Sequence, residues 1–178
     1  MKNNTTKNLV LAALFAALIF VTTSFLRVPF IFLPNSGYIH FGDAFIFLSA
    51  CFLPPGFAAC AASIGAAFAD YSIGGNYWIP FTIIIKALMA IVVFNKSDKI
   101  INARNFIFVF IASIINIVGY YFAEVAIDLY FLKMPLAVSF AAPLPYIPLG
   151  LIQFAGSIVC FIIIGFALDK TKIKNSLR

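Results

Sequence analysis

The stretch LVLAALFAALIFVTTSFL, residues 9–26, decides the fold. It runs for about 18 residues without a charge, close to the roughly 20 that an α-helix needs to cross a bilayer. Lys2 and Lys7 precede it, as basic residues precede a secretion signal. It is longer than the usual signal core, however, and no small-x-small cleavage site follows before Arg27. It reads as a first membrane helix.

The rest of the chain has the same character. Of its 178 residues 63% are hydrophobic and 10% charged, with a mean hydropathy of +1.07. A soluble protein carries about 25% charged and about 45–50% apolar residues, so this chain lacks the polar surface that water would require. A cytosolic enzyme, a nucleic-acid binder and a secreted disulfide scaffold are excluded on that ground, although the net charge of +6 taken alone suggests nucleic acid. The natural solvent is a lipid bilayer and the expected location the cell membrane. Cys51, Cys60 and Cys160 sit in apolar runs with no CxxC or Cys/His spacing and read as small packing residues. One histidine without clustered thiols or carboxylates makes no metal site, and no cofactor is implied.

Charges, prolines and glycines divide the apolar sequence into six candidate spans, about 8–26, 40–53, 55–70, 78–94, 105–130 and 145–168. The expected fold is an all-α membrane bundle of six helices forming a single domain. Pro54-Pro55-Gly56 cannot continue a helix, so the second and third spans read as a tight hairpin, each shorter than a full crossing. Orientation follows from the loop cations. With the N-terminus inside, Lys2, Lys7, Lys96, Lys99, Arg104, Lys170, Lys172, Lys174 and Arg178 lie on the inner side, against Arg27 and Lys133 outside. Both termini then face the cytoplasm. The outer loops are 27–39, 71–77 and 131–144, rich in Pro, Gly and Tyr.

Ionisable groups are costly in hydrocarbon and usually face a bundle interior or a cavity. Those within or beside the spans are His40, Asp43, Asp70, Lys86, Glu124 and Asp128. Ser113, Asn116, Tyr120, Glu124 and Asp128 recur every three or four residues and share one helical face. Trp78, Thr82 and Lys86 form a second face, and Tyr146, Gly150, Gln153, Ser157 and Cys160 a third, weaker one. As a set, gathered toward the outer side, they read as an aromatic pocket with Lys86 and a carboxylate at its floor. Residue by residue a structural reading stands beside it: Lys86 paired with Asp70 or Glu124, and Asn116 and Gln153 in interhelical hydrogen bonds of about 0.6–2 kcal/mol. Asp128, near the helix exit, reads as a bystander. His40 reads equally as a helix cap, a ligand contact or a pH-sensitive group.

Small residues form another pattern. Ala58/Ala62/Ala66 and its neighbouring ridges place the third span inside the bundle, while Ala12, Ala13, Ala16 and Ala17 form a ridge that suits either internal packing or a partner helix.

Taken together these residues resemble the substrate-binding S components of energy-coupling factor (ECF) vitamin transporters, in particular the riboflavin-type group. The resemblance rests on Ala12/Ala16 and Ala13/Ala17, on Gly37-Tyr38-Ile39-His40-Phe41-Gly42-Asp43-Ala44, on the Pro-Gly turn, on Gly65-Ala66-Ala67-Phe68-Ala69-Asp70 and on residues 78–88. It implies a protein that binds a vitamin or precursor from outside and works with a membrane-embedded T component and two ATPase subunits. It implies that Ala12, Ala13, Ala16 and Ala17 pack on the T component. It places the ligand on Tyr38, His40, Trp78, Lys86, Asn116, Tyr120, Glu124 and Gln153, to which Asp43 is added from the same segment as His40.

The chain has no GxxxxGK[ST] phosphate loop, so ATP hydrolysis would belong to another subunit. Abundant aromatics suit a planar heterocycle such as riboflavin, pyridoxine or hydroxymethylpyrimidine. A self-sufficient small transporter would show internal repeats or polar groups across the whole membrane, and an intramembrane enzyme a catalytic constellation at one depth. Neither pattern stands out, and the chain is not expected to be an enzyme.

Overall fold

The computed structural model describes residues 2–29, 38–94 and 97–176, and Gly37, Lys96 and Arg178 fall outside them. Helices α1 (Lys2–Phe25), α2 (Gly42–Phe52), α3 (Pro55–Ser72), α4 (Ile79–Val93), α5 (Ala103–Tyr130) and α7 (Ile147–Thr171) occupy the apolar runs. Two short helices, α6 (Leu136–Ala141) and α8 (Ile173–Ser176), complete the α-helical elements among the described residues. The chain is an all-α membrane protein. Three helical stretches, Thr5–Phe25, Ala103–Tyr130 and Leu136–Thr171, are long and apolar enough to cross a bilayer, while α2 and α4 are shorter apolar helices. At about 1.5 Å per residue the 11 residues of α2 reach little more than half of a hydrocarbon core about 30 Å thick. Large apolar side chains such as Leu9, Ile64, Ile84, Ile107, Ile163 and Phe166 are exposed on the outside of the bundle, as lipid allows and water does not.

Two features depart from the sequence expectation. The second helix starts at Gly42 rather than at residue 40, and the loop before it carries a ribbon: Tyr38–His40 (β2) pairs antiparallel with Arg27–Pro29 (β1), with Arg27 opposite His40. The loop 131–144 holds α6 and leads into a single 3-10 turn at Leu144–Tyr146. Elsewhere the punctuation is the one the residues dictate. Leu53 is extended and Pro54 has φ −58°, which ends α2, and Pro55 opens α3 where a missing N–H costs nothing. Asn102 caps α5 by accepting the Asn105 N–H at 2.9 Å.

Helix α3 packs between α1 and α4, and α2 is covered by α1, α3, α4 and α7. The small residues of α3 make this possible. A Cβ on Gly65 would lie 2.5 Å from the Ala16 carbonyl oxygen and 2.9 Å from the Ile19 Cβ, so only glycine lets α1 and α3 approach this closely. Phe47, Ile46, Leu48, Met89, Val93, Val109 and Phe161 fill the core around them.

The end of the bundle that carries the segment between α4 and α5 is fastened by Asp169. Its carboxylate accepts the backbone N–H of Ile100 at 2.8 Å and of Ile101 at 2.9 Å, tying the end of α7 to the segment before α5. Asn105 donates to the Ile100 carbonyl at 2.7 Å from the other side. Asp169→Ala leaves two amides without their acceptor and is expected to cost about 1.5–3 kcal/mol. Thermal unfolding in detergent measures it, and an unchanged melting temperature would show that water serves the amides equally well.

Candidate ligand cavity

At the opposite end, where Arg27, Gly74, Gly75 and Tyr146 gather, the helices enclose a cavity of about 420 Å³. All nine residues singled out for ligand contact border it: Tyr38, His40, Asp43, Trp78, Lys86, Asn116, Tyr120, Glu124 and Gln153. The helical period brings them there. Thr82 and Lys86 stand one turn apart on α4, Asn116, Tyr120 and Glu124 one turn apart on α5, and all five line the same space. A volume of this size with mostly apolar and aromatic walls and a few fixed polar groups is that of a small-molecule site.

The floor is a closed polar network. Lys86, 1% exposed, places its Nζ 2.6 Å from Asp43 Oδ1 and donates to Asn116 Oδ1 at 2.7 Å. Its ammonium also stands 5.2 Å from the centre of the Tyr120 ring. The second Asp43 oxygen accepts from Gln153 Nε2 at 2.9 Å. Gln153 Nε2 lies 3.2 Å from His40 Nε2, and His40 Nδ1 accepts the Gly42 N–H at 3.1 Å. One connected set therefore links β2, α2, α4, α5 and α7. Asp43 sits in the first turn of α2, where the helix dipole favours a negative charge.

Here the structure corrects the sequence reading of Lys86. Its ion-pair partner is Asp43, where the sequence offers Asp70 or Glu124. The reason is register. Burial of the α2 start against α4 brings residue 43 to the depth of residue 86, a proximity that no helical period can announce. His40 Nδ1 accepts the first N–H of α2, and the ring borders the cavity. The close fit there requires Gly42, whose Cβ would fall 2.0 Å from Thr23 Oγ1.

The wall holds a second chain of hydrogen bonds. Thr82 Oγ1 donates to Asp70 Oδ2 at 2.5 Å and lies 2.9 Å from the Tyr120 hydroxyl. Because the one hydroxyl proton of Thr82 goes to Asp70, the Tyr120 O–H must be the donor to Thr82. Trp78 packs on Tyr120 with ring centres 5.8 Å apart, Tyr38 on His40 at 5.7 Å, and the Arg27 guanidinium lies 5.6 Å from the Tyr38 ring centre.

Asp70, Thr82, Thr23, Arg27, Tyr121 and Tyr146 also border the cavity, beyond the contacts expected from sequence. Asp70 and Thr82 carried a signal, an intramembrane carboxylate and a hydroxyl one turn before Lys86. Thr23 carried none, since a threonine near a helix end is ordinary. Asp128 is buried and stays off the cavity lining, and its backbone carbonyl accepts from Met134. Among the described residues no group of three or more His, Cys, Asp or Glu is placed to hold a metal ion.

The alanine ridge of α1 splits into two faces. Ala12 is buried at 7% exposure, Ala16 half-buried, and Ala13 and Ala17 exposed. Ala16 and Ala17 border a shallow apolar groove with Phe20, Ile64, Gly65 and Phe68. Ala12 faces the bundle, because α1 turns that side inward.

No curated protein and no solved structure matches the chain. The family described as "ECF-type riboflavin transporter, S component" matches it over residues 3–170, a stretch that takes in the cavity, both faces of the alanine ridge and the Asp169 fastening. With nearly its whole length covered, the chain belongs to the ECF-type riboflavin transporter S component family.

Proposed function

We propose that this chain is the substrate-capturing subunit of an ECF-type transporter and that its cavity binds a water-soluble vitamin or precursor built on a planar heterocycle. The observation that carries the proposal is the cavity itself. Tyr38, Trp78 and Tyr120 offer ring faces for stacking beside a floor of fixed donors and acceptors from Lys86, Asn116 and Gln153. Riboflavin, pyridoxine and hydroxymethylpyrimidine all have the flat ring and polar edge such a site accepts, and the family name favours riboflavin among them.

Six helices cross the membrane with both termini in the cytoplasm, so that the cavity opens outward. The nine inner against two outer loop cations support this orientation. Energy comes from elsewhere: without a phosphate loop the chain depends on two ATPase subunits, reached through a T component that packs on the exposed side of α1. Thermal unfolding of the purified protein with riboflavin, pyridoxine and hydroxymethylpyrimidine tests the reading. A true ligand at a hundred times its Kd adds about 2.7 kcal/mol of stability. A panel in which no vitamin raises the melting temperature would overturn the assignment of the cavity.

A further inference from the structure

We propose that the end of the bundle fastened by Asp169 binds the headgroup of an anionic phospholipid, with Arg104 and Lys170 as its positioned phosphate contacts. The proposal is independent of what the cavity holds, since the cavity lies at the other end.

Cations gather at this end. Lys99 and Arg104 flank the start of α5, Lys170 lies in the last turn of α7, and Lys172 turns the chain from α7 into α8. All four are exposed. The Asp169 bonds to the Ile100 and Ile101 amides hold the two groups together, and they engage both oxygens of the carboxylate that stands beside Lys170. Among the described residues neither Arg104 nor Lys170 is in an ion pair. Basic clusters just beyond a membrane span attract anionic lipid, and here the two central cations are also fixed in place.

Arg104 Nη1 donates to the Phe94 carbonyl at 3.1 Å, and its guanidinium lies 4.7 Å from the centre of the Phe108 ring. The Lys170 ammonium stands 4.7 Å from the centre of the Phe166 ring. Phe166 is 56% exposed, and Ile107 on α5 and Ile163 on α7 are exposed as well, on sides that face acyl chains. Each charge therefore sits at the margin of the apolar belt with its stem and a ring below it, which is the depth of a headgroup phosphate. The remaining guanidinium donors and the ammonium suit phosphate oxygens, and the exposed apolar side chains beneath suit the tails. That combination favours lipid over an acidic protein, because only an amphiphile meets the charge and the apolar side chains in one molecule.

The test titrates the intact purified protein, in a neutral detergent, with phosphatidylglycerol and with phosphatidylcholine of identical acyl chains, counting bound lipids by native mass spectrometry. Phosphatidylglycerol should bind at least about fivefold more tightly, and Arg104→Gln with Lys170→Gln should reduce that preference to about twofold or less. Equal binding of the two lipids by the parent overturns the proposal, as does an undiminished preference in the folded double variant. Displacement of phosphatidylglycerol by glycerol 1-phosphate overturns it too, since the site would then serve a soluble anion. Should the double variant not fold, salt decides on the parent: raising ammonium acetate from about 0.05 M to about 0.5 M should bring the preference to about twofold or less, and a preference that survives is not made by these exposed charges.

Discussion

Lys86→Met is expected to lower the stability of the protein by about 3–5 kcal/mol, the cost of leaving a buried charge without its partner. Asp43 is 3% exposed, and the variant takes away the ammonium 2.6 Å from its Oδ1 while Gln153 still donates to Oδ2. One neutral donor does not offset a buried carboxylate. The second variant separates structure from binding. Lys86→Met with Asp43→Asn removes both charges and keeps a hydrogen-bonding amide at position 43, so most of the lost stability should return. Ligand affinity should not return with it, because Lys86 also fixes Asn116 at 2.7 Å and borders the cavity beside Tyr120. Melting temperature and affinity measured on the single and the double variant give four numbers. A single variant as stable as the parent would show that Asp43 is already solvated. A double variant that binds as the parent does would take Lys86 out of the ligand site and leave it a structural pair.

That pair marks the limit of what the sequence makes legible. Composition and the run at residues 9–26 give the solvent, and with it the helices. The four-residue spacing of Asn116, Tyr120 and Glu124, and of Trp78, Thr82 and Lys86, gives the two faces that meet in the cavity, because helical period converts sequence distance into direction. Contacts between elements follow another rule. That Asp43 rather than Asp70 meets Lys86 depends on how deep α2 sits against α4, and α2 is only 11 residues long. The ribbon at Arg27–Pro29 and Tyr38–His40 is equally illegible, since three-residue strands are too short for an alternating pattern to show. Asp70 was visible as an intramembrane carboxylate, but its place on the wall needed the hydroxyl chain through Thr82 to Tyr120.

The second large effect is on transport alone. Ala13→Phe with Ala17→Phe is expected to leave folding and ligand affinity as they are and to reduce uptake to background. Both alanines are exposed on α1, one turn apart, so two phenyl rings at these positions project outward, the second along the groove with Phe20, Ile64 and Phe68. Along one turn of the same helix Ala12 is buried, and the exposed side continues through Ala17 into the groove with Phe20, Ile64 and Phe68. In a membrane, helices associate by close packing rather than by escape from water, so a strip of small side chains is where a second helix approaches best and where bulk is most damaging. The control is Ala12→Phe, which overfills the packed side of α1 and should lower stability by about 1–3 kcal/mol instead. Co-purification with the T component, melting temperature and ligand affinity are read on all three proteins. Normal assembly and uptake in the Ala13/Ala17 variant would place the partner on another face of the bundle, whereas lost ligand binding in it would mean that α1 supports the cavity through this side after all.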